Sequence, residues 1–161
     1  MNRLRVLLFS VLLLFALANS LRADVFAPTG RVIKVLPLFL DQTNQVAPSP
    51  SLYDRDAYQA WLLAHTNQIS GIRFDVNWKA HHASGLDLKL RLELRGIGAR
   101  GLPTVKVMEE SVAPKVFNHW SSLTLNGVAY KNFGVLAAWR ATLWNGGQLL
   151  DEEQSFLWSS P

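Results

Sequence analysis

The carboxylates fall in three groups: Asp54 with Asp56, Glu109 with Glu110, and the run Asp151-Glu152-Glu153. Two carboxylates facing one cleft are the machinery of glycoside hydrolysis. The spacing here sets no two of these groups across a cleft. Asp54 and Asp56 have a capping role at a helix start, and the last run lies on a strand beside a hairpin. Metal binding would draw on His65, His81, His82 and His119. A helical zinc motif places two histidines four residues apart on one face. His81 and His82 are adjacent in a turn, where neighbouring side chains point apart, and they read as solvated loop residues. His65 reads as a partly buried, hydrogen-bonded residue on an apolar helix face, and His119 simply adjoins Trp120. No metal site is assigned.

The run Gly96-Ile97-Gly98-Ala99-Arg100-Gly101 matches G-x-G-x-x-G. A dinucleotide site requires that loop to open a helix whose N-terminus receives the pyrophosphate. The alternating stretch TVKVME follows instead, so the glycines read as a loop between strands and no cofactor is expected. The chain has no cysteine nucleophile, no G-x-S-x-G and no phosphate loop. It is read as a protein without enzymatic activity.

Aromatic residues are the remaining lead. Of the 6 tryptophans, Trp78 and Trp139 alternate onto strand faces assigned to the core. Trp120, Trp144 and Trp158 are less clearly inward and are the candidate ligand or partner contacts. An exposed tryptophan can stack on a sugar ring or anchor a protein partner; the competing reading is that the three cover the ends of the fold or pack beneath the helix.

The elements that would position these residues begin after a leader. Arg3 and Arg5 precede the apolar run 6–18, and small residues close it, which is the pattern of a cleaved secretory signal over residues 1–23. The run is short of the roughly 20 apolar residues that a membrane-crossing helix needs. Arg3, Arg5 and Arg22 leave with it, so the 16 basic residues become 13 against 12 acidic ones. The apparent basicity therefore belongs to the leader, and nucleic acid is not an expected partner. The remainder suits one domain, and without cysteine its stability must come from its core. A bacterial periplasm or exterior is expected, with no membrane attachment after cleavage.

Residues 24–30 read as a linker and 31–158 as the domain. Residues 86–95, LDLKLRLELR, put five leucines on one face and charges on the other, a strand with one dry and one wet side. Residues 31–41 and the stretch from Gly71, with Ile72, Phe74, Val76 and Trp78 alternating, read as strands. So do 103–112, 121–125, 135–144 and 149–158. Ser51-Leu52-Tyr53-Asp54 has capping-box form, and Tyr58, Trp61, Leu62 and His65 follow at helical spacing, which predicts the one helix. Asn126-Gly127 predicts a tight turn. The turn at residues 145–148 predicts Arg140 opposite Asp151 or Glu153.

Seven strands, several dry on one face, predict two antiparallel sheets packed face to face, with one helix between the first and second strands. The strand count and the closing hairpin AWRATLWNGGQLLDEEQSFLW resemble immunoglobulin-like or fibronectin-type β-sandwiches. GRVIKVLPLFLD, SLYDRDAYQ and GIRFDVNWKA also resemble segments of small exported bacterial proteins of unknown function. The resemblance lacks a Cys…Trp…Cys arrangement and implies a fold without implying chemistry. The expectation is a secreted, non-enzymatic binding or structural module of the bacterial envelope. Its partner would be a protein, reached through an exposed edge strand, or alternatively a glycan held by exposed tryptophans.

Overall fold

The computed structural model describes residues 28–81, 88–114 and 117–159. The leader, residues 24–27 of the linker, His82 and Leu86 lie outside the described residues. Seven strands and two helices follow in order: β1 (Thr29–Asp41), α1 (Leu52–Ala64), β2 (Ile69–His81), β3 (Leu88–Ile97), β4 (Pro103–Ser111), β5 (His119–Asn126), α2 (Gly127–Phe133), β6 (Val135–Asn145) and β7 (Gln148–Gln154). They form two antiparallel sheets, ordered β1-β2-β5 and β4-β3-β6-β7.

The leucine alternation of β3 does what its period dictates. Leu88, Leu90, Leu92 and Leu94 are buried in one cluster with Ile72, Phe74, Val76 and Trp78 of β2. Side chains of both sheets thus share one core, and each fully buried leucine stabilises by about 1.5–3 kcal/mol relative to exposure. Trp139 points into the same cluster, edge-on to Phe74 with ring centroids 6.3 Å apart.

Three sequence expectations are corrected. Asn126-Gly127 does not make a hairpin turn; it opens a second helix, α2. The reason is long-range. β5 pairs with β2 while β6 pairs with β3, so the connection must cross between sheets roughly 10 Å apart, beyond the span of a two-residue turn. The helix ends at Gly134, whose φ of 83° and close approach to the Ile97 carbonyl leave no room for a β-carbon. The final strand stops at Gln154, and residues 156–158 form a 3-10 turn. Arg140 faces Gln154 instead of Asp151 or Glu153, because Leu150 is an extra residue between the pairs Trp144–Leu149 and Leu143–Asp151.

That bulge has a structural use. It brings Asp151 to β1, where its Oδ2 accepts the Val32 N–H at 2.8 Å, while Leu150 packs against Gly30. Farther along the same free edge of β1, Gln59 of α1 stands in for a neighbouring strand. Its Oε1 accepts the Phe39 N–H at 2.7 Å, and its Nε2 donates to the Phe39 carbonyl at 2.9 Å and to the Val46 carbonyl at 2.8 Å. A helix and a carboxylate thus close an edge that would otherwise present unpaired backbone groups. Gln59→Ala leaves those groups without their partner, and a loss of about 1–3 kcal/mol is expected in urea unfolding; Gln59→Glu, which keeps an acceptor but removes the donor, should fall between.

Candidate functional site

The three candidate tryptophans do not converge. Trp120 pairs with Asn77, out of phase with the inward Phe74, Val76 and Trp78, and so lies on the outer face of the three-stranded sheet, about half exposed. Trp144 pairs with Lys89 and lies on the outer face of the other sheet. Its Nε1 donates to Thr142 Oγ1 at 2.8 Å, and its ring walls a small cleft of about 190 Å³ with Lys89, Arg91, Glu109, Gly146 and Gly147. Both cations there are already paired with Glu109, Lys89 at 3.1 Å and Arg91 at 3.5 Å.

Trp158, one of the candidate contacts, is buried, as the competing reading of these tryptophans has it. The 3-10 turn after β7 folds it back onto the outer face of β3 and β6. There the Arg95 guanidinium carbon sits 3.9 Å from the ring centroid and that of Arg140 4.9 Å. Arg95 also donates to the Trp158 carbonyl at 3.1 Å, and Trp139 and Ser155 exchange further bonds beneath the turn. The residue fastens the chain's last segment to the sheet. Its proximity to two arginines is invisible in the sequence, which separates it from Arg95 by more than sixty positions.

The helix α1 also differs from its periodicity. Ser51 caps it as expected, accepting the Asp54 N–H at 3.4 Å, while the Asp54 carboxylate takes the Ser49 hydroxyl at 2.5 Å. Of the face Tyr58, Trp61, Leu62 and His65, only Leu62 is buried. Tyr58, Trp61 and His65 instead stack along the helix surface, with ring centroids 5.6 and 4.4 Å apart. His65, expected to be partly buried, is exposed, with Nδ1 2.8 Å from the Trp61 carbonyl oxygen. Trp61 thus stacks with a ring on either side of it in the sequence and remains partly exposed.

Tyr58 links this helix to the end of β1, donating to Asp41 Oδ2 at 2.8 Å. The other carboxylate oxygen of Asp41 accepts from the Thr43 N–H, the Thr43 hydroxyl and the Gln45 N–H. Burial pushes this carboxyl up, but the donors from Gln45, Thr43 and Tyr58 together outweigh it and hold the group below the ordinary aspartate value. The same contact, with burial second, pushes the Tyr58 phenol up. The arrangement is a turn organiser: both carboxylate oxygens are engaged by the chain itself.

An apolar cavity of about 370 Å³ lies at the helical end of the fold, lined by Phe39, Leu63, Ile69, Val135 and Leu136 with Thr66, Tyr130 and Lys131. Burial raises the Tyr130 phenol. The cavity holds no acid–base pair, and among the described residues no three His, Asp or Glu side chains gather as metal ligands. His119 is edge-on to Trp78, with centroids 5.7 Å apart.

What the structure leaves unused is a strand edge. β1 and β7 meet on one lateral side, where Asp151 bridges them and Gln59 of α1 takes up the β1 backbone at Phe39. On the opposite side β4 ends its sheet and β5 ends the other. At the two ends of the β3–β4 ladder, the Val112 N–H donates to Leu88 O at 2.9 Å and the Gly98 N–H to Leu102 O at 2.8 Å. These bonds share the register of Leu90–Glu110, Leu92–Met108 and Leu94–Lys106. Alternation of antiparallel bonds then turns the backbone of Lys106, Met108 and Glu110 toward β3. It turns the N–H and C=O groups of Val105, Val107 and Glu109 toward the open edge. Val105 is 71% exposed and Val107 40%. The sequence predicts a strand over 103–112; its terminal position depends on pairings that no local pattern encodes.

Comparison with protein-family models, with curated proteins and with solved structures finds no match to this chain.

Two outcomes follow from the contacts above. Trp158→Ala should lower unfolding stability by about 3 kcal/mol, through lost packing and two lost cation–π contacts, as read by chemical denaturation; Trp120→Ala should change it far less. Asp41 has a depressed folded-state pKa, so the stability it contributes is present above the unfolded value near about 4 and is lost as pH falls through the folded value. A pH series of unfolding midpoints should therefore show a shallower acid limb in Asp41→Asn than in the native chain.

Proposed function

We propose that the chain is an exported, non-enzymatic binding module of the bacterial envelope. It has an immunoglobulin-like, fibronectin-type build and takes an extended segment of a protein onto the open edge of β4. The strand distribution supports the fold reading. In the constant-type immunoglobulin arrangement the first, second, fourth and fifth strands share one sheet and the third, sixth and seventh the other. The present order differs only in the fourth strand, which pairs with the third. Export rests on the leader described from the sequence.

The single observation that carries the binding reading is the unequal treatment of the two lateral sides. On one side Asp151 and Gln59 take up the β1 backbone at Val32 and Phe39, and on the other β4 presents Val105 and Val107 with their backbone groups outward. Strand addition uses such groups for affinity and alternate side chains for selectivity.

Val107→Pro tests this with little cost to the fold, since the lost N–H faces outward and takes no part in the β3 ladder. Cross-linking in cells should join residues 103–111 to an extended segment of a defined protein. Val107→Pro should abolish the cross-link while shifting unfolding stability by no more than about 1–2 kcal/mol. Cross-links that survive the proline, or none that map to β4, reject the reading.

A further inference from the structure

The open edge contains its own complement. This inference rests on the strand-addition reading of β4 and names the segment added. We propose that the occupant is β4 of a second copy of the chain, paired antiparallel about a two-fold axis through Met108, so that two four-stranded sheets join into one.

The register follows from bonds and charges. Outward backbone groups belong to the odd-numbered residues of β4, so an added antiparallel copy must set odd residues opposite odd ones. Few centres satisfy that condition near the middle of the strand. A centre on Lys106 puts two ammonium groups face to face, and a centre on Glu109 does the same to two carboxylates; like charges directly opposite destabilise a sheet. A centre on Val107 sets Lys106 against Met108 and Val105 against Glu109, with no charge satisfied.

A centre on Met108 puts Lys106 opposite Glu110 of the second copy, and symmetry repeats the pair. Lys106 and Glu110 are both exposed and form no ion pair with another described residue in the single chain. They fall at the positions that do not exchange bonds with the added strand, where opposing side chains approach most closely. Val105 then meets Ser111 and Val107 meets Glu109 at the bonded positions, giving about eight backbone bonds across the axis.

Charge exchange decides the matter. Lys106→Glu makes both positions acidic, and Glu110→Lys makes both basic. Each variant should self-associate at least about tenfold more weakly than the native chain in sedimentation equilibrium. Mixed together, the two variants should associate with each other, since every facing pair is then opposite in charge. The double variant should recover self-association. Far-UV circular dichroism of each variant reports that the fold is kept.

A native chain that stays monomeric into the high micromolar range overturns the proposal, as does a dimer indifferent to these changes or to Val107→Pro. If the monomer still forms Val107-dependent cross-links through residues 103–111 to a different protein, the second copy is excluded while strand addition stands. Absence of both removes strand addition as well.

Discussion

The contact between the leucines of β3 and the apolar row of β2 sets every other choice in this structure. Leu88, Leu90, Leu92 and Leu94 must meet Ile72, Phe74, Val76 and Trp78, because a one-residue slip of either strand would turn its whole set to water. With that interface fixed, the connection from β2 to β3 must change sheets, as must β4 to β5 and β5 to β6. The last crossing is made by α2, and its Phe133 is buried in the main core. A chain with no cysteine has no covalent substitute for this contact.

Splitting seven strands as three and four leaves four terminal strands, and they are not treated alike. β1 is sheltered twice, by an amide from α1 and by a carboxylate from the bulge in β7. Both devices imitate a missing neighbour at the cost of a polar side chain. β4 has instead charges at Lys106, Glu109 and Glu110 and a proline at its first residue, which is how exposed edges avoid indiscriminate pairing. Charges in fixed positions also choose among registers, so the feature that discourages random partners can admit a matching one.

Period-two alternation in β2 and β3, the Ser51 cap and the inward set of Trp139 were legible because each is local: side-chain direction follows from spacing along one strand or one turn. The second helix was hidden because Asn126-Gly127 is an equally good hairpin signal, and only the pairing of β5 with β2 rules the hairpin out. The bulge at Leu150 was hidden for a related reason. Its stabilisation comes from Gly30 and Val32, more than a hundred residues earlier. The seat of Trp158 was hidden because a tryptophan near the end of the sequence gives no hint of the two guanidinium groups against it. At the candidate site, Val105 and Val107 were legible as strand residues, while the openness of their edge was a property of the whole sheet order.

The charged face of β3 shows how much apparent chemistry a fold consumes. Glu93 forms an ion pair with Arg91 at 2.8 Å and accepts from Arg140 at 2.9 Å, and Arg140 reaches Glu152 at 3.9 Å. Arg95 and Arg140 then form the surface on which Trp158 lies. Partly exposed pairs of this kind contribute at most about 1 kcal/mol each, so their use is to fix register and seat the final turn more than to add stability. Glu109 is taken by Lys89 and Arg91 in the same way, and Asp41 by its own turn. Once these engaged groups are set aside, Lys106 and Glu110 remain as charges of opposite sign on one strand, four residues apart and without partners among the described residues.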